Sequence, residues 1–429
     1  MRVSTSMIFD AGLASIQKQT SALLHTQQQV ASGRRMLTAA DDPVATARAM
    51  EVEQAQKTNA LYLGNQKAAG EGLGLVESSL SSVGELIRSA RTLAVQGGGG
   101  ALTDSDRRSI AGEIRQRFAE LLGLANATDG NGQHLFSGYM GDTVPFSGSV
   151  AGGVAYAGDN GQRLLQVSTS RQIAISDSGN DVFMRIRNGN GAFATSVSAG
   201  NAGSGIIDAG TVTNTALWHA AGNNMDFSVL FAVDVAVPPV TTYDIIDNVS
   251  GNSLLTGAAP AAAPYPRAFA PGQAISLKSQ GAEPAFDYGA QFVVTGNPAD
   301  GDSFDIDAST SQSLFATLAN LIDALEATTN GGGGNTLLAN RIGFALTNLD
   351  QAQENVLRVR AAIGSRQNEI DALANAGEDL NLNYAQTLSR LRDVDYAEAI
   401  TRLTQEQSYL EAAQKSFLKV TGLSLFNYV

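Results

Sequence analysis

Three histidines, His25, His134 and His219, are the first residues to weigh for chemistry, because imidazole is the commonest switchable base and metal ligand. They lie in unrelated stretches with no HExxH or other paired-ligand spacing, which reads as solvated or loop histidines. Asp300-Gly301-Asp302 and Asp305-Ile306-Asp307 hold carboxylates at spacings a calcium ion could use. No EF-hand loop with its terminal Glu accompanies them, and short acidic turns at strand ends carry the same pattern without metal. Gly70, Gly72 and Gly74 imitate the start of a dinucleotide fingerprint, but they sit inside a helical heptad and lack the strand-turn-helix setting. No Gly-x-Ser-x-Gly elbow, Walker loop or Ser/His/Asp set is present. With no cysteine there is neither a disulfide nor a thiolate zinc site. The sequence therefore predicts no catalytic, cofactor-binding or metal residues, and no enzyme.

What remains is architecture. A chain of 429 residues, 43% apolar, is long enough for two or three domains with ample core. Its formal charge is −13, its pI is about 4.7, and Lys and Arg form no cluster, so no nucleic acid and no acidic membrane surface is expected as a partner. No run approaches the roughly 20 apolar residues of a membrane span. Met1 to Asp10 follows neither the secretory-signal nor the lipidation pattern, so export by a cleaved signal is not expected.

The two ends of the chain carry the clearest pattern. Asp395, with Glu398 three residues on, is a capping-box-like helix start. Tyr396, Leu403, Leu410 and Phe417 then recur every seven residues, with Ala399, Ile400, Ala413 and Val420 beside them and Glu406 off the stripe. At the other end, in a helical stretch from Ser4 to Leu37, Phe9, Ile16, Leu23, Val30 and Leu37 repeat at the same spacing. Each row is a narrow apolar seam, and the two termini are expected to pair. Neither can fold alone, because five buried side chains do not offset the ordering entropy of some thirty residues. Both ends are therefore expected to be mobile in the free subunit and to become coiled coils on assembly. Beyond the last helix, the apolar tail that includes Leu425 and Phe426 also calls for a neighbour.

Between the ends, Asp42-Pro43 restarts a helix that Gly97 to Gly100 stop. Leu73, Leu80 and Ile87 form one seam row, and Val76, Val83 and Ala90 form another. Thr103 or Asp104 caps a third helix, which contains Ile110, Ile114 and Phe118. Ser313 opens a helix ending near Gly331, and Ile342, Leu349, Val356, Ile363 and Ile370 define a long heptad helix that Gly377 should break. The two heptad helices, 43–96 and 335–376, should pack together. From about Leu135 to Asp307 the texture turns to Gly, Asn, Ser and Pro between short β-branched runs. Val154 to Ala157 and Leu164 to Val167 flank Asp159-Asn160-Gly161 as a hairpin. Phe227, Val229, Phe231, Val233, Val235 and Val237 alternate as one strand before Pro238-Pro239, while 189–215 and 256–272 read as loops. The predicted fold class is α+β, with long N- and C-terminal helices forming a coiled-coil or helical bundle around an inserted β-rich domain. Its predicted parts are a terminal assembly domain, 1–42 plus 394–429, a helical bundle, 43–134 plus 311–393, and an outer β domain, 135–310.

Ser32-Gly33-Arg34-Arg35, Ala39-Ala40-Asp41-Asp42-Pro43 and, near the other end, Arg392-Asp393-Val394-Asp395-Tyr396-Ala397-Glu398 resemble the terminal signatures of bacterial flagellins and their junction relatives. Leu135-Phe136-Ser137-Gly138-Tyr139, Val359-Arg360-Ala361-Ala362-Ile363-Gly364-Ser365-Arg366 and the ending Lys419 to Tyr428 resemble the junction branch more than filament flagellin. The middle resembles it loosely, through Pro271-Gly272-Gln273 and Gly296 to Phe304. The resemblance implies a structural subunit of the flagellum, needed for motility, that joins hook to filament. Its termini would form an inner coiled-coil layer, and its β domain would face outward in a homo-oligomeric ring. Implied partners are other copies of itself, the adjacent hook-associated protein, flagellin, and a cytoplasmic export chaperone on the C-terminal helix. The implied location is extracellular, reached through the flagellum's own channel without signal cleavage. Two alternatives are a filament flagellin and an exported adhesin or β-domain hydrolase on helical stalks.

Overall fold

A computed structural model describes residues 5–234, 239–260, 262–327 and 334–422. It is α+β, as predicted. Helices α1 (Thr5–Ser32), α2 (Pro43–Gly97) and α3 (Asp104–Ala125) precede a run of short antiparallel strands that contains the single-turn α4 (Thr215–Trp218). Helices α5 (Leu314–Glu326), α6 (Gly334–Arg392) and α7 (Tyr396–Gly422) follow. The chain divides into two compact units. The first is Met1–Lys67, Gln166–Arg171 and Ile370–Val429, and the second is Ala68–Leu165 and Gln172–Glu369.

In the first unit, local chemistry fixes the end of α1 and the starts of α2 and α7. Gly33 takes φ +69° and closes α1, since that left-handed backbone is disfavoured for other residues. Leu37, predicted as the last member of the α1 seam, therefore lies beyond the helix. Asp42 Oδ1 accepts the Ala45 N–H at 2.9 Å, with Pro43 at the first helical position of α2. Asp395 Oδ1 caps α7 through the Ala397 and Glu398 N–H groups. Glu398 pairs with Arg402 four residues on, the preferred helical neighbour for an acid, and no reciprocal capping bond is formed. Within this unit α2 and α6 run antiparallel. Gln56 Nε2 donates to Asn381 Oδ1 at 3.0 Å, and Asn59 Nδ2 to the Gly377 carbonyl at 2.7 Å. Gly377, expected to break α6, lies inside the unbroken helix. One interior glycine costs only about 1 kcal/mol, and here it creates close approach, because a Cβ would sit 2.9 Å from Leu63 Cδ2.

In the second unit, Leu73, Val76, Leu80, Val83, Ile87 and Ala90 of α2 are buried, as are Ile342, Leu349, Val356 and Ile363 of α6. Ion pairs Arg91–Asp350 (2.9 Å) and Arg360–Glu77 (2.6 Å) flank these apolar rows. Thr103 caps α3 in a capping box with Asp106, and Phe118 meets Phe315 of α5 edge-on at 5.7 Å.

Two antiparallel sheets share one core in the β region. The larger runs in the order Asn252–Ser253, Val240–Asp247, Asp226–Asp234, Ser303–Ala308 and Phe193–Val197, and Arg267–Ala268 also pairs with Val240–Asp247. In the other, Ala274–Lys278, Ile206–Ile207 and Thr211–Val212 pair with Asp287–Thr295. Phe227, Val229 and Phe231 alternate inward as predicted, whereas Val235, Val237 and Pro238 fall outside the described residues. Three expectations fail, the first because the predicted loop 256–272 contains the two-residue strand Arg267–Ala268. The predicted loop 189–215 contains the strand Phe193–Val197, whose buried Phe193 and Thr195 are hidden in the sequence by Gly, Ala and Ser neighbours. The predicted hairpin is absent, since Gly153–Tyr156 pairs with Phe146–Ser149 instead. The Asp159 carboxylate takes the Gly161 and Tyr139 N–H groups and folds that Asn-Gly turn onto another loop. The acidic pairs are structural. Asp305 accepts from Ser228 and Ser196, and Asp302 from Ala202, Gly203 and Ala299.

Arg267 is buried and donates to both Glu283 oxygens, at 2.9 and 2.5 Å, and to the Lys278 carbonyl. These bonds from Arg267 hold the Glu283 carboxyl below its ordinary value of 4.5. A depressed folded pKa adds stability above the unfolded pKa and loses it as pH falls through the folded value. Arg267→Ala should thus cost about 3 kcal/mol at pH 7, at the low end for a buried pair, by leaving the half-buried Glu283 carboxylate without its partner. The gap to wild type should narrow as pH drops below 4.5. Urea unfolding followed by fluorescence of the single tryptophan, buried Trp218, measures both, and a gap independent of pH would exclude Glu283 as the responsible partner.

Candidate assembly interface

Helices α1 and α7 lie antiparallel. Phe9 and Phe417 rings are 5.2 Å apart, and Gly12 opens the hole that Phe417 fills, since a Cβ there would meet the ring at 2.6 Å. At the opposite end of the pair, a Cβ on Gly33 would lie 3.0 Å from the Tyr396 hydroxyl. Between these points the half-buried or buried row of α1 is Gly12, Ile16, Gln19, Leu23, Thr26 and Val30, and that of α7 is Ala399, Leu403, Glu406, Leu410, Ala413 and Phe417. Both follow the alternating four- and three-residue spacing of a coiled-coil seam.

Of the residues singled out in the sequence, Ile16, Leu23, Val30, Leu403, Leu410 and Phe417 are in this seam. Phe9 and Tyr396 border it while remaining about half exposed. Leu425 and Phe426 lie outside the described residues, as does the side chain of Val420. Ile400 is exposed. Glu406, read as lying off the stripe, occupies a seam position and has one carboxylate oxygen that is buried without a hydrogen-bond partner. Its charge hid it from a search for apolar repeats, although its spacing from Leu403 and Leu410 fits. Thr26 and Gln29 are also buried, and being polar they likewise stand outside the apolar repeat. The seam is therefore more polar than its apolar rows suggest. Outside it, Met7, Ile8, Leu13, Leu24, Tyr409 and Leu418 are exposed on the same two helices, a surface apolar enough to invite a neighbour.

The two chain breaks that precede α2 and α7 clasp each other. Arg35 N donates to the Arg392 carbonyl at 2.7 Å and Val394 N to the Gly33 carbonyl at 3.0 Å, while Arg35 Nη2 reaches the Leu391 carbonyl. Gln29, buried, donates to the Arg35 carbonyl at 2.5 Å. Glu53 and Arg392 form a two-pronged ion pair, at 2.9 and 3.2 Å, and the hydrogen bonds from Arg392 lower the Glu53 pKa. The Asp41 carboxyl is lowered chiefly by the Thr38 and Leu37 N–H groups, with His25 Nε2 at 3.1 Å assisting. Around the clasp, a cleft of about 620 Å³ is lined by His25, Arg35, Asp41, Arg390, Asp395 and Arg402 among others. Its acids and bases mostly neutralise one another. Among the described residues no three His, Asp or Glu side chains are grouped to hold a metal.

Residues 3–140 match the bacterial flagellin N-terminal helical region, and residues 346–428 match the bacterial flagellin C-terminal helical region, together just over half the chain. The clasp and the α1/α7 pair fall within these regions. Flagellar hook-associated protein 3 of Salmonella typhimurium is 25% identical over 426 residues, 99% of either chain. The flagellar junction protein FlgL from Legionella pneumophila has a similar fold, with a TM-score of 0.68 and 28% identity over 81% of this chain and 100% of that one. Xanthomonas campestris FlgL gives 0.66 and 27%, covering 79% and 99%. The described helix ends, their capping residues and the full-length correspondence agree: the chain belongs to the flagellin family and is homologous along its length to flagellar hook-associated protein 3.

Proposed function

We propose that this chain is the hook–filament junction subunit of a bacterial flagellum, a structural component of the external organelle. The observation that carries this reading is the correspondence to hook-associated protein 3 across the whole chain, β region included. The paired ends, 1–42 and 394–429, form the assembly domain. The helical segments 43–134 and 311–393 support it, and residues 135–310 face outward. The chain's neighbours are other copies of itself, a hook-associated protein on the hook side and flagellin on the filament side. Before export, which proceeds without signal cleavage, a cytoplasmic chaperone covers the C-terminal helix. In this scheme Ile16, Leu23, Leu403 and Leu410 close the seam, and the exposed apolar side chains of α1 and α7 meet neighbouring subunits.

Deleting the gene should leave hooks intact and release flagellin into the medium, as seen by electron microscopy and immunoblotting. A filament composed of this chain would refute the junction role. Polar Gln19, Thr26 and Glu406 weaken the seam, so the free subunit should show faster amide exchange in 5–32 and 396–422 than in 335–363. Equal protection throughout would show that the ends close without a polymer. Leu410→Pro, which costs about 3 kcal/mol in a helix interior, should abolish assembly while leaving Trp218 fluorescence native. Loss of that native signal would show that the β region depends on α7.

A further inference from the structure

Four Asn-Gly dipeptides fall among the described residues of the second unit: Asn131-Gly132, Asn160-Gly161, Asn188-Gly189 and Asn190-Gly191. A fifth, Asn330-Gly331, lies outside the described residues. Asparagine is thermolabile, and it is most reactive before glycine, where no Cβ shields the backbone nitrogen that attacks the amide carbon. The fold controls three things in each pair: the freedom of the amide, the hold on the glycine N–H, and the room in which the backbone can turn.

Three of the pairs are clamped. Asn160 Oδ1 accepts from Asn180 Nδ2 at 2.9 Å, and the Gly161 N–H is bound to the Asp159 carboxylate at 2.6 Å, a charged and therefore strong acceptor. A Cβ on Gly161 would come within 2.1 Å of the Tyr139 ring. Asn188 Oδ1 accepts the Thr310 N–H at 2.7 Å, Asn348 Oδ1 holds the Gly189 N–H at 2.8 Å, and a Cβ on Gly189 would lie 2.1 Å from the Phe193 carbonyl oxygen. Asn190 is bound at both ends of its amide, donating to the Ala209 and Gly210 carbonyls and accepting from the Ala192 and Phe193 N–H groups. Asn131 differs in every respect. Its side chain is exposed and has no hydrogen-bond partner among the described residues. The Gly132 N–H meets only the neutral Asp129 carbonyl, at 3.1 Å. Gly132 takes φ +81°, and a Cβ built on it would find nothing within 4 Å.

We propose that Asn131 is a modification site, the residue of these four that the folded chain loses to deamidation by water. The Gly132 nitrogen gives its proton to solvent hydroxide and attacks Asn131 Cγ. The new N–Cγ bond closes a cyclic imide while the Cγ–Nδ2 bond breaks, and the departing nitrogen takes a proton from water and leaves as ammonia. Water then opens the imide at either carbonyl, giving aspartate or, where the bond to the original backbone carbonyl breaks, isoaspartate. Each event adds a negative charge beside Asp129, whose carboxylate accepts the Asn131 and Gln133 N–H groups. The proposal holds whether or not the chain is a junction subunit.

The test incubates the full chain in warm, mildly alkaline buffer, once folded and once in urea, and follows each asparagine by peptide mapping with fragmentation mass spectrometry, which assigns the amide-to-acid mass gain to a residue. In the folded chain Asn131 should convert about tenfold faster than Asn160, Asn188 or Asn190, because each of those must first release at least one further hydrogen bond. Its rate should rise with pH as more hydroxide is available, and the peptide should resolve into aspartate and isoaspartate forms. In urea the four should convert at similar rates, since all precede glycine. Faster conversion at any of the other three in the folded chain, or an Asn131 that reacts in urea but stays intact when folded, would overturn the proposal. So would the same preference for Asn131 in urea, which would trace it to sequence and not to the clamps.

Discussion

The clasp between Gly33–Arg35 and Arg392–Val394 is the constraint on which the ends of the molecule depend. Every helix terminus leaves backbone groups without intrahelical partners, and here two interruptions come together within one small region. Gly33, whose backbone ends α1, presents its carbonyl to Val394, and Arg35 donates to the last residue of α6. Each break thus satisfies part of the other. Asp42 and Asp395 then restart α2 and α7 from fixed positions. The clasp also brings α1 and α7 alongside each other, so that hydrophobic pairing far along the helices, at Phe9 and Phe417, needs no long-range search.

Electrostatics and packing divide between the units in complementary ways. The first unit is neutral and its close ion pairs are internal, Glu53 with Arg392 and Glu398 with Arg402. Copies can pack through it without like-charge repulsion. The second unit carries the acidic excess, which keeps it soluble and resists indiscriminate contact. In its β region a few buried polar groups set the details. Arg267 is matched to Glu283 and backbone carbonyls, whereas burial followed by the charges of Asp226 and Asp305 raises the Asp307 carboxyl. The latter feature is a modest cost of placing Asp307 across from Asp226 in adjacent strands.

Much of this organisation was legible in the sequence because helices report themselves through spacing and capping. Pro43 behind Asp42, Thr103 before Asp106 and Ser313 before α5 are local signals, and the structure uses each. The terminal motifs were readable as a resemblance, while their physical meaning, two strips of backbone bonded to each other, depends on residues more than three hundred positions apart. The β region was legible only where alternation was strong, as at Phe227, Val229 and Phe231. At Phe193–Val197, the edge strand beside Ser303–Ala308, small residues left the inward alternation of Phe193 and Thr195 too faint to read, and that alternation is what specifies register.

By itself, then, the sequence determined the α+β class, the starts of the helices, the heptad rows and the absence of thiol chemistry, all of which follow from short-range periodicity, capping and composition. Tertiary structure decided what those rules could not reach. Gly377 stays helical because Leu63 and Asn59 occupy the space and the hydrogen bond it offers. Glu406 joins the seam because helical geometry places it between Leu403 and Leu410 whatever its charge. Leu37 leaves that seam because one glycine backbone ends α1 before it. For Gly377 the deciding interaction comes from residues distant in sequence and for Leu37 from a backbone conformation, while Glu406 follows its spacing but is polar, so none of the three is written in the spacing of apolar side chains.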